Sequence, residues 1–187
     1  MDKYTLVVTG TRGIPNILGG IETHCEELYP RIKKISNSKL ILIRRSSYIS
    51  QSNKLDEYKK IILKDIYTPK KKSFEAIIHT FLSIIYAKKV KADLIHIHGI
   101  GPGLLVPFAK LIGLKVVVTN HGPDYDRQKW GIIAKFILKL GEKFSYKYSN
   151  KVIVISNVIK PVKASVSSVK GCKSNELGSL KDLTKGL

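Results

Sequence analysis

Residues 4–35 read YTLVVTGTRGIPNILGGIETHCEELYPRIKKI. Tyr4 to Thr9 is a short run rich in β-branched and apolar residues that stops at Gly10. Such a run suits a strand buried on both faces. A loop follows with Gly10, Gly13, Gly19 and Gly20. Ile21, Cys25, Leu28, Ile32 and Ile35 then recur at helical spacing, with Glu22, Glu26 and Glu27 near the positive end of the helix. A strand, a glycine-rich loop and an amphipathic helix make the opening step of a wound parallel sheet.

The step recurs along the chain. A second strand is expected at Lys39 to Ile43, a polar loop at 46–54, and a third strand within Lys59 to Ile66. An exposed turn at Lys70-Lys71-Lys72 leads to a helix with Phe74, Ile77, Ile78, Phe81, Leu82 and Ile85 as its core side. A fourth strand covers Asp93 to His98, and a short helix containing Pro107 lies within Gly101 to Gly113. A fifth strand covers Lys115 to Thr119. The longest helix, Lys129 to Tyr148, has Trp130, Ile133, Ala134, Ile137, Gly141, Phe144 and Tyr148 as its expected core face. A sixth strand ends at Ile155. This alternation gives the α/β class and a doubly wound, Rossmann-like parallel sheet over residues 1–156. Residues 157–187 are rich in Ser, Lys and Gly without a sustained period, and read as an irregular tail.

The chain carries 33 Lys+Arg against 14 Asp+Glu, a net charge of +19. A field this positive implies an anionic partner: a membrane surface, nucleic acid or a phosphorylated substrate. Cys25 falls on an apolar helix face, and neither a disulfide framework nor a zinc spacing is present, as suits a reducing cytoplasm. The start reads as a strand without a signal peptide, and no apolar run is long enough to span a bilayer.

A second loop concentrates chemistry. Residues 119–130 read TNHGPDYDRQKW, just past the carboxyl end of the fifth strand, where open α/β sheets bind ligands. Gly122 and Pro123 turn the chain, displaying His121, Asp124, Asp126, Arg127 and Lys129. His96 and His98 share one face of the fourth strand, with His96 expected in the core and His98 near His121. No third ligand has suitable spacing, which argues against zinc. The first loop lacks the Lys-Ser/Thr of a P-loop, and Asn16 stands where a dinucleotide fingerprint needs its last glycine. Lys135, Lys139, Lys143 and Lys147 form an i, i+4 stripe that suits an anionic leaflet.

The stretches GTRGIPNILGGIETHCEEL, TNHGPDYDRQKW, the helix with Leu140-Gly141-Glu142, and VIVIS together resemble the acceptor domain of family 4 glycosyltransferases. The resemblance is nearest to the bacterial rhamnosyltransferase-like branch that builds surface polysaccharide. It implies the amino-terminal half of a GT-B arrangement, with the carboxyl-terminal donor domain missing from this chain. It implies retaining transfer of a sugar, rhamnose in that branch, from a nucleotide sugar to a lipid-linked or saccharide acceptor. Neither a metal nor a cofactor is implied. Gly19 and Gly20 would lie against the donor phosphates and His121 beside the transferred sugar. Arg12, Glu22, His98, Asp124, Asp126 and Arg127 would line the acceptor side. The enzyme would sit at the cytoplasmic face of the plasma membrane, with a separate carboxyl-terminal half as a possible partner. The alternative is a nicotinamide-dependent reductase, with Arg44-Arg45 placed for a 2′-phosphate. No nucleic-acid-binding motif is recognisable, and nucleic acid is not an expected partner.

Overall fold

The computed structural model describes residues 4–69, 72–122 and 131–155. In chain order these form β1 (Tyr4–Thr9), α1 (Gly20–Ile35), β2 (Ser38–Arg45), β3 (Glu57–Tyr58) and β4 (Ile61–Ile66). Then come α2 (Lys72–Lys89), β5 (Leu94–His98), α3 (Val106–Leu111), β6 (Lys115–Asn120), α4 (Ile132–Tyr148) and β7 (Lys151–Val154). The strands lie in the order β3-β4-β2-β1-β5-β6-β7, all parallel except the β3–β4 pair. The chain winds outward from β1 through β2 to β4, then returns past β1 to β5. That reversal leaves a crevice between the carboxyl ends of β1 and β5.

Both faces of the sheet are covered, which is why its strands read as continuous apolar runs. Alternate residues serve opposite faces. Leu6, Val8, Leu40 and Leu42 pack against Cys25, Leu28, Tyr29 and Ile32 of α1. Val7, Ile41, Ile95 and Val118 pack on the other face with Ile84 and Ala87 of α2 and Val106 and Ala109 of α3. Each fully buried aliphatic side chain contributes roughly 1.5–3 kcal/mol.

The structure refines four expectations. The strand expected within Lys59 to Ile66 is β4, and the unanticipated β3 precedes it, with Lys59 and Lys60 at φ of 47° and 66° turning the hairpin between them. The Gly101–Gly113 segment divides into a 3-10 turn, Pro102–Leu105, and α3, with Pro107 in the first helical turn where its missing N–H costs nothing. In α2 the buried residues are Glu75, His79, Thr80, Ser83, Ile84 and Ala87, while Phe74, Ile78, Phe81 and Ile85 are exposed. In α4 the buried residues are Gly141, Glu142, Ser145 and Tyr146, whereas Ile133 and Tyr148 face solvent. Both helices thus turn a polar, small-residue face inward. Trp130, expected on the core face of α4, lies outside the described residues.

The inward hydroxyls satisfy themselves, whereas neither ring nitrogen of the buried His79 has a hydrogen-bond partner among the described residues. Thr80 and Ser83 donate to the carbonyls of Ala76 and His79, each at 2.7 Å, and Ser145 donates to the Gly141 carbonyl at 2.8 Å. Being small, these residues also permit close approach. A Cβ on Gly103 would come within 2.1 Å of Ser145 Oγ, and one on Gly141 within 2.2 Å of the Ile100 carbonyl oxygen.

Candidate active site

A cleft of about 1290 Å³ opens at the carboxyl ends of the strands, with Gly10, Gly20, Glu22, His98 and His121 among its lining. Its floor begins where β1 stops. Gly10 has φ of 94°, and a Cβ there would sit 2.2 Å from the His98 carbonyl oxygen. Only glycine lets these strand ends approach so closely. The loop that follows is held by the buried Glu22. Its Oε1 accepts the Arg12 N–H at 2.8 Å and the Thr11 hydroxyl at 3.2 Å. Arg12 in turn donates to the Leu18 carbonyl at 3.0 Å.

The paired glycines play different parts. A Cβ on Gly19, at φ 155°, would overlap Glu22 Oε2 at 2.0 Å. One on Gly20 would meet nothing within 4 Å. Gly20 is the first residue of α1, which has no side-chain cap, so its first N–H groups and positive dipole end face the cleft. An anion suits this position.

Beneath the floor runs a chain of hydrogen bonds. Thr119 Oγ1 meets His96 Nε2 at 2.7 Å, and His96 Nδ1 meets the Tyr29 hydroxyl at 2.8 Å. The same hydroxyl meets His98 Nε2 at 2.5 Å, and His98 Nδ1 meets His121 Nε2 at 2.9 Å. Burial drives the basicity of these rings down, to about 3 for His96 and about 4 for His121, with neighbouring histidines adding to the effect. Burial likewise holds His98 well below its ordinary value and the Tyr29 phenol well above. At neutral pH all three imidazoles are therefore uncharged. His24 of α1 stands edge-on to His121, ring centres 5.1 Å apart.

His121 is placed by the end of β6. Asn120 Oδ1 accepts the Gly122 N–H at 2.9 Å, while Asn120 Nδ2 donates to Glu142 at 3.0 Å and Tyr146 at 3.3 Å on α4. The opposite wall is apolar, with Phe74 and Ile77 from α2 and Ile132, Ile133 and Ile137 from α4. Arg45, which also lines the cleft, pairs with Glu75 at 2.8 Å.

Residues 18–162 match Glycosyltransferase Family 4. The chain belongs to this family. Its fold is similar to sucrose-phosphate synthase from Thermosynechococcus elongatus, with a TM-score of 0.66 and 16% identity over 89% of this chain and 45% of that one. A second chain of that enzyme matches with a TM-score of 0.59 and 15% identity, over 97% of this chain and 94% of that one. The chain spans less than half the length of the first match. No curated protein matches it. Likeness at such identity carries the fold, the Rossmann-like unit of a GT-B arrangement.

Within this family 4 domain, Arg12, Gly19, Gly20, Glu22, His98 and His121 come together around one cleft. Glu22 and His98 are buried and spend their polar atoms on the protein itself. Asp124, Asp126, Arg127 and Lys129 lie outside the described residues. Lys139, Lys143 and Lys147 are exposed on α4 and Lys135 is half-buried. Arg44 is fully buried, its guanidinium held by Asp65 at 2.6 and 3.0 Å and by the carbonyls of Asn53 and Leu55. It is a structural pin, so of the Arg44-Arg45 pair in the reductase alternative it is Arg45, already paired with Glu75, that lines the cleft. Sequence reasoning missed Tyr29, because a tyrosine on an apolar helix stripe reads as core. It also missed Asn120 and Glu142, whose pairing joins two segments far apart in sequence. Among the described residues no group of three metal-ligating side chains converges.

Proposed function

We propose that this chain forms the acceptor-side half of a retaining glycosyltransferase. It would take a sugar from a nucleotide donor to a lipid-linked or saccharide acceptor in surface polysaccharide synthesis, with rhamnose the first sugar to try. The observation that carries this reading is the uncapped, open start of α1 at Gly20, on the same cleft as the neutral imidazole of His121. In transfer, the bond from the sugar to the donor phosphate breaks and one to the acceptor hydroxyl forms. The departing diphosphate gathers negative charge, which the N–H groups at Gly19 and Gly20 would stabilise. His121 would fix the sugar, and Arg12 the acceptor side, with Glu22 and His98 holding them in place. Asp124, Asp126 and Arg127 are proposed to complete the acceptor side. The donor half would come from a second Rossmann-like domain, in this polypeptide or a separate one.

The same reading places the protein at the cytoplasmic face of an anionic membrane. Its support is α4, where Ile132 is 88% and Phe136 67% exposed beside the lysine stripe. Apolar groups flanked by lysines suit the interface of a lipid leaflet. No helix among the described residues is long and apolar enough to cross a membrane.

Fusing the chain to the donor domain of a related transferase, and measuring nucleoside diphosphate release with membrane extract, tests this reading. The chain alone should give no transfer, because orientation of both substrates accounts for roughly 7–11 kcal/mol of such a barrier. The fusion should be active, and His121→Ala or Gly20→Val should lower its rate by on the order of a hundredfold. Transfer by the chain alone would overturn the half-site reading, and full activity in both variants would remove this loop and His121 from the site.

A further inference from the structure

The relay beneath the cleft floor can be proton-ordered in two directions, and the structure distinguishes them. Each neutral imidazole has one N–H and one lone pair, and each hydroxyl donates once. In the first direction Thr119 donates to His96 Nε2, His96 Nδ1–H to Tyr29, Tyr29 to His98 Nε2, and His98 Nδ1–H to His121 Nε2. Every buried donor then has an acceptor. The second direction reverses every proton. His121 Nε2–H starts it, and His96 Nε2–H ends it on Thr119 Oγ1. The Thr119 hydroxyl is then left without an acceptor, in a fully buried residue whose side chain bonds to His96 alone among the described residues. A buried hydroxyl without its hydrogen bond biases the equilibrium by about tenfold or more.

We propose that Thr119, His96, Tyr29 and His98 act as a tautomer relay that holds His121 with its proton on Nδ1, so that His121 shows the cleft an N–H donor. Because Nε2 is taken by His98, Nδ1 is the ring nitrogen left for a ligand. Its partner must supply an oxygen lone pair, such as a sugar hydroxyl or a phosphate oxygen. A ligand that presents an ammonium there meets donor against donor and is rejected. Tyr29, His96 and His98 are positioning residues acting through His121, and Thr119 sets the direction. Burial keeps the three rings free of an extra proton that would blur it. The identity of the ligand oxygen rests on the transferase reading; the relay does not.

The test is long-range proton–nitrogen correlation on the imidazoles of the ligand-free, nitrogen-15-labelled full chain at pH 7. The expected pattern is Nδ1–H with a bare Nε2 as the major tautomer at His96, His98 and His121 alike. A free imidazole side chain prefers Nε2–H, so three reversed rings are not what a merely packed cluster would show. Tyr29→Phe keeps the ring and cuts the relay in the middle. His121 should then drift back toward Nε2–H, its Nδ1–H share falling clearly below the parent's. Nε2–H at His121 in the parent chain would overturn the proposal even if Tyr29→Phe does not fold. An unchanged share in a folded Tyr29→Phe would overturn it too. Both readouts come without substrate, so their failure is separate from any failure of sugar transfer.

Discussion

The floor of the cleft and its apolar wall are built by opposite means. At the floor, Glu22, Tyr29, His96 and His98 are buried and spend their polar atoms on one another and on the loop above. On the α2–α4 side, Phe74, Ile78, Phe81, Ile132 and Phe136 stand exposed, while Glu75, Thr80, Ser83 and Ser145 turn inward. The first region is complete within this chain. The second presents apolar surface to whatever lies beyond it. The difference teaches that a folded site can be finished chemically on one side and left open on the other.

The largest expected effect is acid lability, centred on the floor. His96 is pushed down to about 3 and His79, on the inward face of α2, to about 4, against an ordinary value of 6.5. Burial is the main cause of both shifts. The unfolded chain therefore binds more protons than the folded one below pH 6.5. The contribution is complete above that pH and is lost as the pH falls toward the folded values. Each buried histidine costs up to about 1.4 kcal/mol per pH unit in this window. Urea midpoints measured from pH 7 to pH 4 should fall steeply; a flat profile would break the claim that the floor's imidazoles are held neutral.

Next comes a pair within one loop. Gly10→Ala drives a Cβ into the His98 carbonyl and should lose more than about 3 kcal/mol. Gly20→Ala points into open cleft and should change stability by less than about 0.5 kcal/mol. Thermal unfolding of the two variants side by side sharpens the contrast between a glycine the fold needs and one a ligand needs. Equal losses would mean that Gly20 packs.

The smallest effect per residue belongs to the open wall. Changing Lys135, Lys139, Lys143 and Lys147 together to Gln should weaken binding to anionic vesicles by about 1 kcal/mol per lysine. The parent's binding should fade between low and physiological salt. Co-sedimentation as strong as the parent's would reduce the stripe to a solvated face.

The two regions also differed in how far the sequence revealed them. The β-branched runs and the 3.6-residue spacing of α1 were readable because Cys25, Leu28 and Ile32 are buried as that spacing predicts, while Ile35, expected on the same stripe, ends the helix exposed. The glycine-rich loop, His98 and His121 were readable as neighbours from their places at strand ends. In α2 and α4 hydrophobic spacing misled, since Thr80, Ser83 and Ser145 count as polar in a pattern yet satisfy their own hydroxyls and pack as small residues. Lys59-Lys60 gave no turn signal because lysine seldom takes positive φ. The relay was hidden because it needs Tyr29 and Thr119 placed in three dimensions, and no local spacing encodes that.

Gly141 and Ser145 seat the carboxyl half of α4 against Ile100 and Gly103, while Ile132, Ile133 and Phe136 at the other end project into solvent. About 14 Å of helix separates the seat from the free tip, at roughly 1.5 Å per residue. Among the described residues the helix is clamped most closely over its carboxyl half, like a cantilever. A load on Ile132 or Phe136 is felt as torque at the clamp, and the clamp rests on the turn that follows Gly99, beside the cleft floor.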